Sequence, residues 1–545
     1  MTLNAGLRVE INGAFHDDDC HIGNIDPALL SEGQYPFIYP SCVNSFHIPG
    51  FTGSANGTTL KNNYSTGLGP RIGLAYDVLG HHTTTIRAGY GIYYVREDVG
   101  AVDQLSFQSP FLPIAFAGGP PGCLSTFFEL TPAPGCPNPN PNGLPPAGVL
   151  DPAFVPIISH LTGFTNNNTA LAPTFDAPPT NSINLFGLQV PQHFIVPNAQ
   201  QWNMTVQRTL PSKWVLEVGY IGTHSIHLRE TRDSQQALPA SPAAPVTVKA
   251  ADGQTFTITT MTVANGIARS RTIGINGYSG FELFANDAYS HYNSLQTTLS
   301  RRWGQGYFQA AYTFSKSTDA TSTGNTAFNT AFDDQTNLAF SRGLSDFDRR
   351  HRLSVSYVYT FPFFRNASGL KRAALADWGV SGVTIAQSGT PFSIIDSLAG
   401  QAYDGVTTIT AGASLAPGAT YSDGYTKGNL ESRLGTPGEP GYVNFSAFTP
   451  APVIGSDGMA TAFGNLGRNI YRGPFEQNWD FSLIKIFHVT EHQQFRFTAD
   501  FFNIWNHPSF SSPAFTDVES QSNFGDIIST ENNPRIIQFS LRYAF

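Results

Sequence analysis

Ile537-Gln538-Phe539-Ser540-Leu541-Arg542-Tyr543-Ala544-Phe545 closes the chain with apolar residues at every odd position and Gln538, Ser540 and Arg542 between them. A period of two is that of a β-strand with one greasy and one polar face, and the stretch is as long as a tilted strand that crosses a bilayer, about 9–11 residues. The same alternation recurs upstream over 494–503 (Phe495, Phe497, Ala499, Phe501) and 478–487 (Trp479, Phe481, Leu483, Phe487), joined by His488-Val489-Thr490-Glu491-His492. It continues in pairs: 377–387 with 351–361, 306–316 with 292–302 around Gly304, 213–221 with 199–209 across Leu210-Pro211-Ser212, and 84–94 with 70–79 across Gly80-His81-His82. A first strand over 2–10 brings the number to about twelve.

Every second connection is short, and the others run from about thirty to a hundred residues. Soluble sandwiches and propellers have no reason to sort connections by end, whereas transmembrane barrels have tight periplasmic turns and long extracellular loops. The expected fold is therefore all-β: a transmembrane antiparallel β-barrel, with the apolar face of each strand toward lipid. The six tryptophans agree with this topology. Trp202, Trp479 and Trp505 fall at expected outer strand ends, and Trp214, Trp303 and Trp378 at expected periplasmic ends, as in the aromatic girdles of the two lipid–water interfaces.

Composition narrows the class further. Of 545 residues 13% are charged, about half the usual share for a soluble domain, and 13% are aromatic, with 42 Phe and 21 Tyr. No stretch approaches the roughly 18 uninterrupted apolar residues of a membrane-spanning helix. The net charge of −9 leaves no basic stripe for phosphates, which argues against nucleic acid as a partner. Met1-Thr2-Leu3-Asn4-Ala5-Gly6-Leu7-Arg8-Val9-Glu10 alternates like a strand and has no basic segment, apolar segment or cleavage site of an export signal, so the chain is expected to be a fragment of a longer reading frame. Cys20 and Cys42 share one irregular segment and Cys123 and Cys136 another. Local pairing into two disulfides is the simplest of three possible connectivities and suits an oxidising compartment. The long connections, including the Pro- and Asn-rich 132–146, read as surface loops rather than inserted domains, with β-prone segments at 246–248 and 255–261 that suit a hairpin.

Several blocks resemble the barrel portion of Oar-like TonB-dependent outer-membrane receptors. They are Asn198-Ala199-Gln200-Gln201-Trp202-Asn203 through Val206-Gln207-Arg208, Leu216-Glu217-Val218-Gly219-Tyr220-Ile221-Gly222-Thr223-His224, Tyr292-Asn293-Ser294-Leu295-Gln296, and Ala311-Tyr312-Thr313-Phe314-Ser315-Lys316-Ser317. Ser345-Asp346-Phe347-Asp348-Arg349-Arg350-His351, Gly464-Asn465-Leu466-Gly467-Arg468-Asn469 and Phe501-Phe502-Asn503-Ile504-Trp505-Asn506-His507-Pro508 complete the set, which spans about 70 to 545. The resemblance implies the last twelve strands of a 22-strand barrel in the bacterial outer membrane, taking up or sensing a bulky solute through an unidentified extracellular ligand. A plug, a TonB-contacting segment and a carboxypeptidase-regulatory-like domain belong to the family plan but not to residues 1–545, so TonB is expected as a partner only through an amino-terminal part outside this sequence. The carboxy-terminal Leu541, Tyr543 and Phe545 resemble the signal read by the barrel-assembly machinery. Outer-membrane lipid is the remaining expected partner.

No enzymatic activity, cofactor or metal is expected. His16-Asp17-Asp18-Asp19-Cys20-His21 looks metal-like but reads better as a solvated acidic turn, and a spacing of three puts His224 and His227 on opposite faces of a strand. Asp346, Asp348, Arg349, Arg350 and His351 lie where a long loop re-enters a strand and read as a charge network at the rim. Ser381 and Ser388 lack a nucleophile elbow. Gln207, Gln296, Thr298, Arg496 and Asp500 face the lumen and could form a solute path, with a ladder of cross-strand contacts as the plainer reading. Two other functions remain open: a self-contained twelve-strand passive pore, and a surface adhesin or scaffold that uses the loops.

Overall fold

The computed structural model describes residues 1–14, 22–26, 37–40, 52–54, 59–61, 64–78, 80, 83–95, 114–116, 184–193, 195–234, 236–249, 255–263, 265–266, 269, 278–322, 331–403, 410–428, 430, 441–490 and 492–545. Cys20, Cys42, Cys123, Cys136, the cluster at 16–21 and the segment 132–146 lie outside the described residues.

Twelve long strands form one meander. They are β1 (Thr2–Gly13), β2 (Tyr64–Asp77), β3 (Thr84–Tyr94), β4 (Asn198–Leu210), β5 (Trp214–Asp233), β6 (Tyr278–Trp303), β7 (Gly306–Asp319), β8 (His351–Thr360), β9 (Trp378–Gln387), β10 (Glu476–His488), β11 (Gln494–Phe502) and β12 (Ile536–Ala544). Each pairs antiparallel with the next. Strands β1 and β12 are the two ends of the path and do not pair with each other, so the sheet is open.

Register carries one apolar row from strand to strand. Leu3 lies beside Leu74, Leu74 beside Ala88, Ala88 beside Met204, Met204 beside Tyr220, Tyr220 beside Leu295, and Leu295 beside Phe314. Most of this face is open: Leu3 is 58% exposed, Met204 51% and Phe314 43%. A continuous apolar face of this size is unfavourable in water and at home in lipid. The opposite face carries Arg71, Arg87, Gln207, Glu217, Gln296, Arg352, Asp480, Arg496 and Asp500, which share the inner rows of the same registers.

The short connections need a backbone that reverses tightly. Ser212 and Lys213 both take positive φ (61° and 63°), the twist that matches a hairpin of right-twisted strands, and Gly80 does the same between β2 and β3 (φ 68°). Between β8 and β9 the connection holds a short helix, α1 (Gly369–Leu375).

Strands β5 and β6 run past the expected limits of 213–221 and 292–302. An irregularity between Ser225 and Leu228 breaks the register, with His227 at φ 59°, and the pair continues through Glu230 and Asp233 beyond the long-loop end of the sheet. Val246–Lys249 and Thr255–Ile258 form the expected hairpin.

The long connections depart from the surface-loop expectation. Phe392, Ile394, Val443, Phe448, Leu466, Tyr471, Val518 and Phe524 bury one another, so segments within 388–475 and 503–535 share a hydrophobic core. Ala237 N donates to Tyr403 O at 2.8 Å and Gly412 N to Asp333 Oδ1 at 2.9 Å, tying two further loops to it. These apolar residues follow no period, which is why their convergence is invisible along the chain.

Candidate functional site

The long-loop end of the sheet joins the loop body through a seam of buried charges. Arg468 Nε donates to Ser341 O at 2.8 Å and Nη2 to Asp319 O at 2.9 Å, with an ion pair to the Asp319 carboxylate and a second to Asp346 at 3.3 Å. The side chains of Arg468 and Asp319 are 9% and 4% exposed. An ion pair this enclosed is tolerable only when the remaining donors are also used, which the two backbone carbonyls achieve. Asn469 Nδ2 reaches Leu344 O at 2.7 Å and Asp346 at 2.6 Å. Arg472 pairs with Asp348, whose other oxygen accepts from Ser317 N at 2.5 Å. Arg349 pairs with Glu476, which also accepts from Gln387 Nε2 at 2.7 Å.

The expected rim network is therefore present in Asp346, Asp348 and Arg349. Its counterions Arg468, Arg472 and Glu476 come from segments 122 to 127 residues away, beyond what spacing can show. The two blocks around Asp346 and Arg468 dock on each other directly. Ser388 serves as a hydrogen-bond acceptor in the same turn: its Oγ takes His351 N at 3.2 Å and its carbonyl takes Arg349 Nη1 at 2.7 Å. Ser381 is an inner-row residue of β9, beside Ser482.

A second group sits where β5 and β6 project beyond the sheet. Glu230 and Glu282 are 0% and 2% exposed. Burial pushes the Glu230 carboxyl up to about 8, outweighing the attraction of Arg232 Nη1 at 3.1 Å. Burial, reinforced by the Asp233 carboxylate opposite it in register, holds Glu282 well above the carboxylate range. Within the loop body, burial likewise pushes Asp333 up to about 7. Arg269 is fully buried and donates to Asn265 Oδ1 (2.7 Å), Leu238 O (2.5 Å) and Ala402 O (2.7 Å), so a neutral cage holds its charge and clamps two loops together.

His224 does not meet His227. It stacks on His291 of β6, ring centroids 4.1 Å apart and planes 9° from parallel, because the two residues are register partners. Among the described residues no group of three or more His, Cys, Asp or Glu is arranged to hold a metal ion.

The inner wall combines side-chain bonds, one across strands and two along a strand, with an open bay. Gln207 accepts from Arg87 Nη1 at 2.9 Å, Gln296 donates to Ser294 Oγ at 3.2 Å, and Asp500 accepts from Thr498 at 3.4 Å. Thr298 is register partner to Glu217, and Arg496 to Arg542. Near β1, Gly6, Gly73, Gly89 and Gly91 floor a cavity of about 420 Å³ edged by Asn4, Gln201, Asn203 and Arg71, the last lying 4.4 Å over the Tyr93 ring.

Trp214, Trp303 and Trp378 stand at the short-turn ends of β5, β6 and β9, Trp202 and Trp479 toward the long-loop ends of β4 and β10, and Trp505 just past β11. Leu541 and Tyr543 lie on the apolar row of β12 opposite Phe497 and Phe495, and Phe545 follows at 93% exposure.

The sequence model of the outer membrane β-barrel domain family matches residues 1–538. The chain belongs to this family. As an outer-membrane β-barrel domain it sits in the bacterial outer membrane, with its short turns toward the periplasm and its long loops outside. No curated protein matches the domain significantly. Among solved structures the domain is similar to the outer membrane transporter YddB from Escherichia coli, at 9% identity over 88% of this chain and 41% of that one, with a TM-score of 0.39. It is also similar to the siderophore receptor PirA from Acinetobacter baumannii (9% identity, 88% and 41% covered, TM-score 0.36) and to the ferripyoverdine receptor of Pseudomonas aeruginosa (9%, 88% and 35%, TM-score 0.35). The chain spans about two fifths of the length of the first two.

Proposed function

We propose that this outer-membrane barrel domain is the wall and outer-loop body of an Oar-like TonB-dependent receptor that takes up or senses a bulky solute. The observation that carries the reading is the seam: two blocks that resemble the receptor family, around Asp346 and Arg468, interlock beneath a loop body with its own core. Such a body presents a fixed surface for capture, and the polar inner wall offers the captured solute a path. A plug and a TonB-contacting segment complete this mechanism by analogy with the receptor family. In the same reading Leu541, Tyr543 and Phe545 form the signal taken by the barrel-assembly machinery, and the tryptophans at the strand ends form two interfacial girdles.

The test is made in the native host by comparing solute depletion from the medium in wild-type cells, cells lacking this gene and cells lacking TonB. Failure of both mutants to deplete the same solute supports the reading. A gene-deletion defect in surface binding that TonB loss does not reproduce would favour the adhesin, and TonB-independent uptake the passive pore.

A further inference from the structure

Between the short turns and the irregularity after Ser225, the outward rows of the twelve strands, followed through their aligned registers, carry no Asp or Glu. Their charged residues are Arg208, Arg301, Lys316 and Lys485, while Glu10, Asp77, Glu217, Asp319, Glu476, Asp480 and Asp500 all fall on inner rows. This partition runs against the whole chain, where 39 acids outnumber 30 bases. Three of the cations stand at the short-turn end, and they are held differently. Lys485 Nζ is occupied by Ala376 O, between the rings of Trp378 and Phe487. Arg301 lies 5.5 Å over Trp214 and 5.5 Å over Trp303, and its Nε is buried without a hydrogen-bond partner. Arg208, two residues before the end of β4, and Lys213, in the β4–β5 turn immediately before Trp214, are both exposed. Among the described residues none of Arg208, Lys213 and Arg301 is ion-paired to a carboxylate.

We propose that Arg301, clamped between Trp214 and Trp303, forms with Arg208 and Lys213 a seat for the phosphate of an anionic phospholipid in the periplasmic leaflet. The indole rings set the depth, because tryptophan settles at the headgroup level. The outward direction excludes a solute from the lumen. Three cations without a counter-anion favour a headgroup of net negative charge over a zwitterionic one, at about 1 kcal/mol per basic residue near such a surface. The ring faces stabilise the guanidinium and hold its remaining N–H groups toward the lipid.

The test places the full-length chain in phosphatidylcholine vesicles that contain either brominated phosphatidylglycerol or an equal fraction of brominated phosphatidylcholine, and compares quenching of tryptophan fluorescence. The expected result is stronger quenching by the anionic lipid. Arg301→Gln should lower that preference about fivefold, the factor equivalent to about 1 kcal/mol, whereas Arg301→Lys and the outer-end Lys316→Gln should preserve it. Each variant is first shown to keep the wild-type β-sheet circular dichroism and protease resistance in the same vesicles, so that a misfolded protein is not read as lost binding. Excess inorganic phosphate should leave the preference intact. Equal quenching in the wild type, an undiminished preference in folded Arg301→Gln, or displacement by free phosphate would each overturn the assignment.

Discussion

Asn503 and Asn506 stand in left-handed backbone, at φ 50° and 51°, just after β11. Asn503 accepts from His507 N at 3.0 Å and donates to His507 O and Asn533 O at 3.1 and 3.0 Å, while Asn506 Oδ1 accepts from Arg535 N at 2.9 Å. Asparagine tolerates this region better than other residues with a side chain and supplies the bonds that close the turn onto the start of β12. The Phe501–Pro508 block is recognisable in the sequence by likeness alone, and its physical role appears only when residues 533 and 535 are brought to it. Asn503→Ala should destabilise the folded domain by about 2 kcal/mol or more, from left-handed strain and an orphaned carbonyl. Asn503→Gly should recover the strain and none of the side-chain bonds, placing its urea midpoint between the two.

At the scale of elements, the outer extension of β5 and β6 should respond to pH. Folding raises the Glu230 carboxyl from an ordinary 4.5 to about 8 and moves Glu282 the same way. Between those values the folded extension binds protons that the opened one has released, so its stability falls as pH rises. For Glu230 the contribution is complete below about pH 4.5, declines up to about pH 8 and is then constant. Hydrogen exchange over 228–233 and 282–288, corrected for intrinsic rates, should show greater protection at pH 5 than at pH 8.5. The Glu230→Gln/Glu282→Gln double variant should flatten that difference. A profile unchanged by the double variant would remove these carboxyls as its source.

At the scale of the molecule, the open sheet poses an energetic problem. Strand β1 leaves the short-turn end and β12 returns to it, so the two edges run antiparallel and can meet each other or strands of matching polarity. In lipid each unpaired backbone group costs several kcal/mol, so neither edge stays bare. Residues 1–545 alone, refolded into vesicles, are expected to give no heat-modifiable monomer with steady conductance, because the sheet as seen does not bring β1 to β12. A stable monomeric pore in planar bilayers would show that the two strands close directly on each other.

The strands, their count and their direction were determined by the sequence itself, because a period of two, a greasy row and turn chemistry at 80 and 212–213 are local properties. Localisation followed from the sorting of connection lengths, which is also a one-dimensional fact. Register-dependent features were not accessible in that way. The His224–His291 stack, the Arg301 clamp, the Arg468–Asp319 seam and the aromatic core around Tyr471 each join residues whose separation along the chain carries no signal. Only the tertiary structure could decide them, since pairing and burial depend on which distant segments share a level of the sheet.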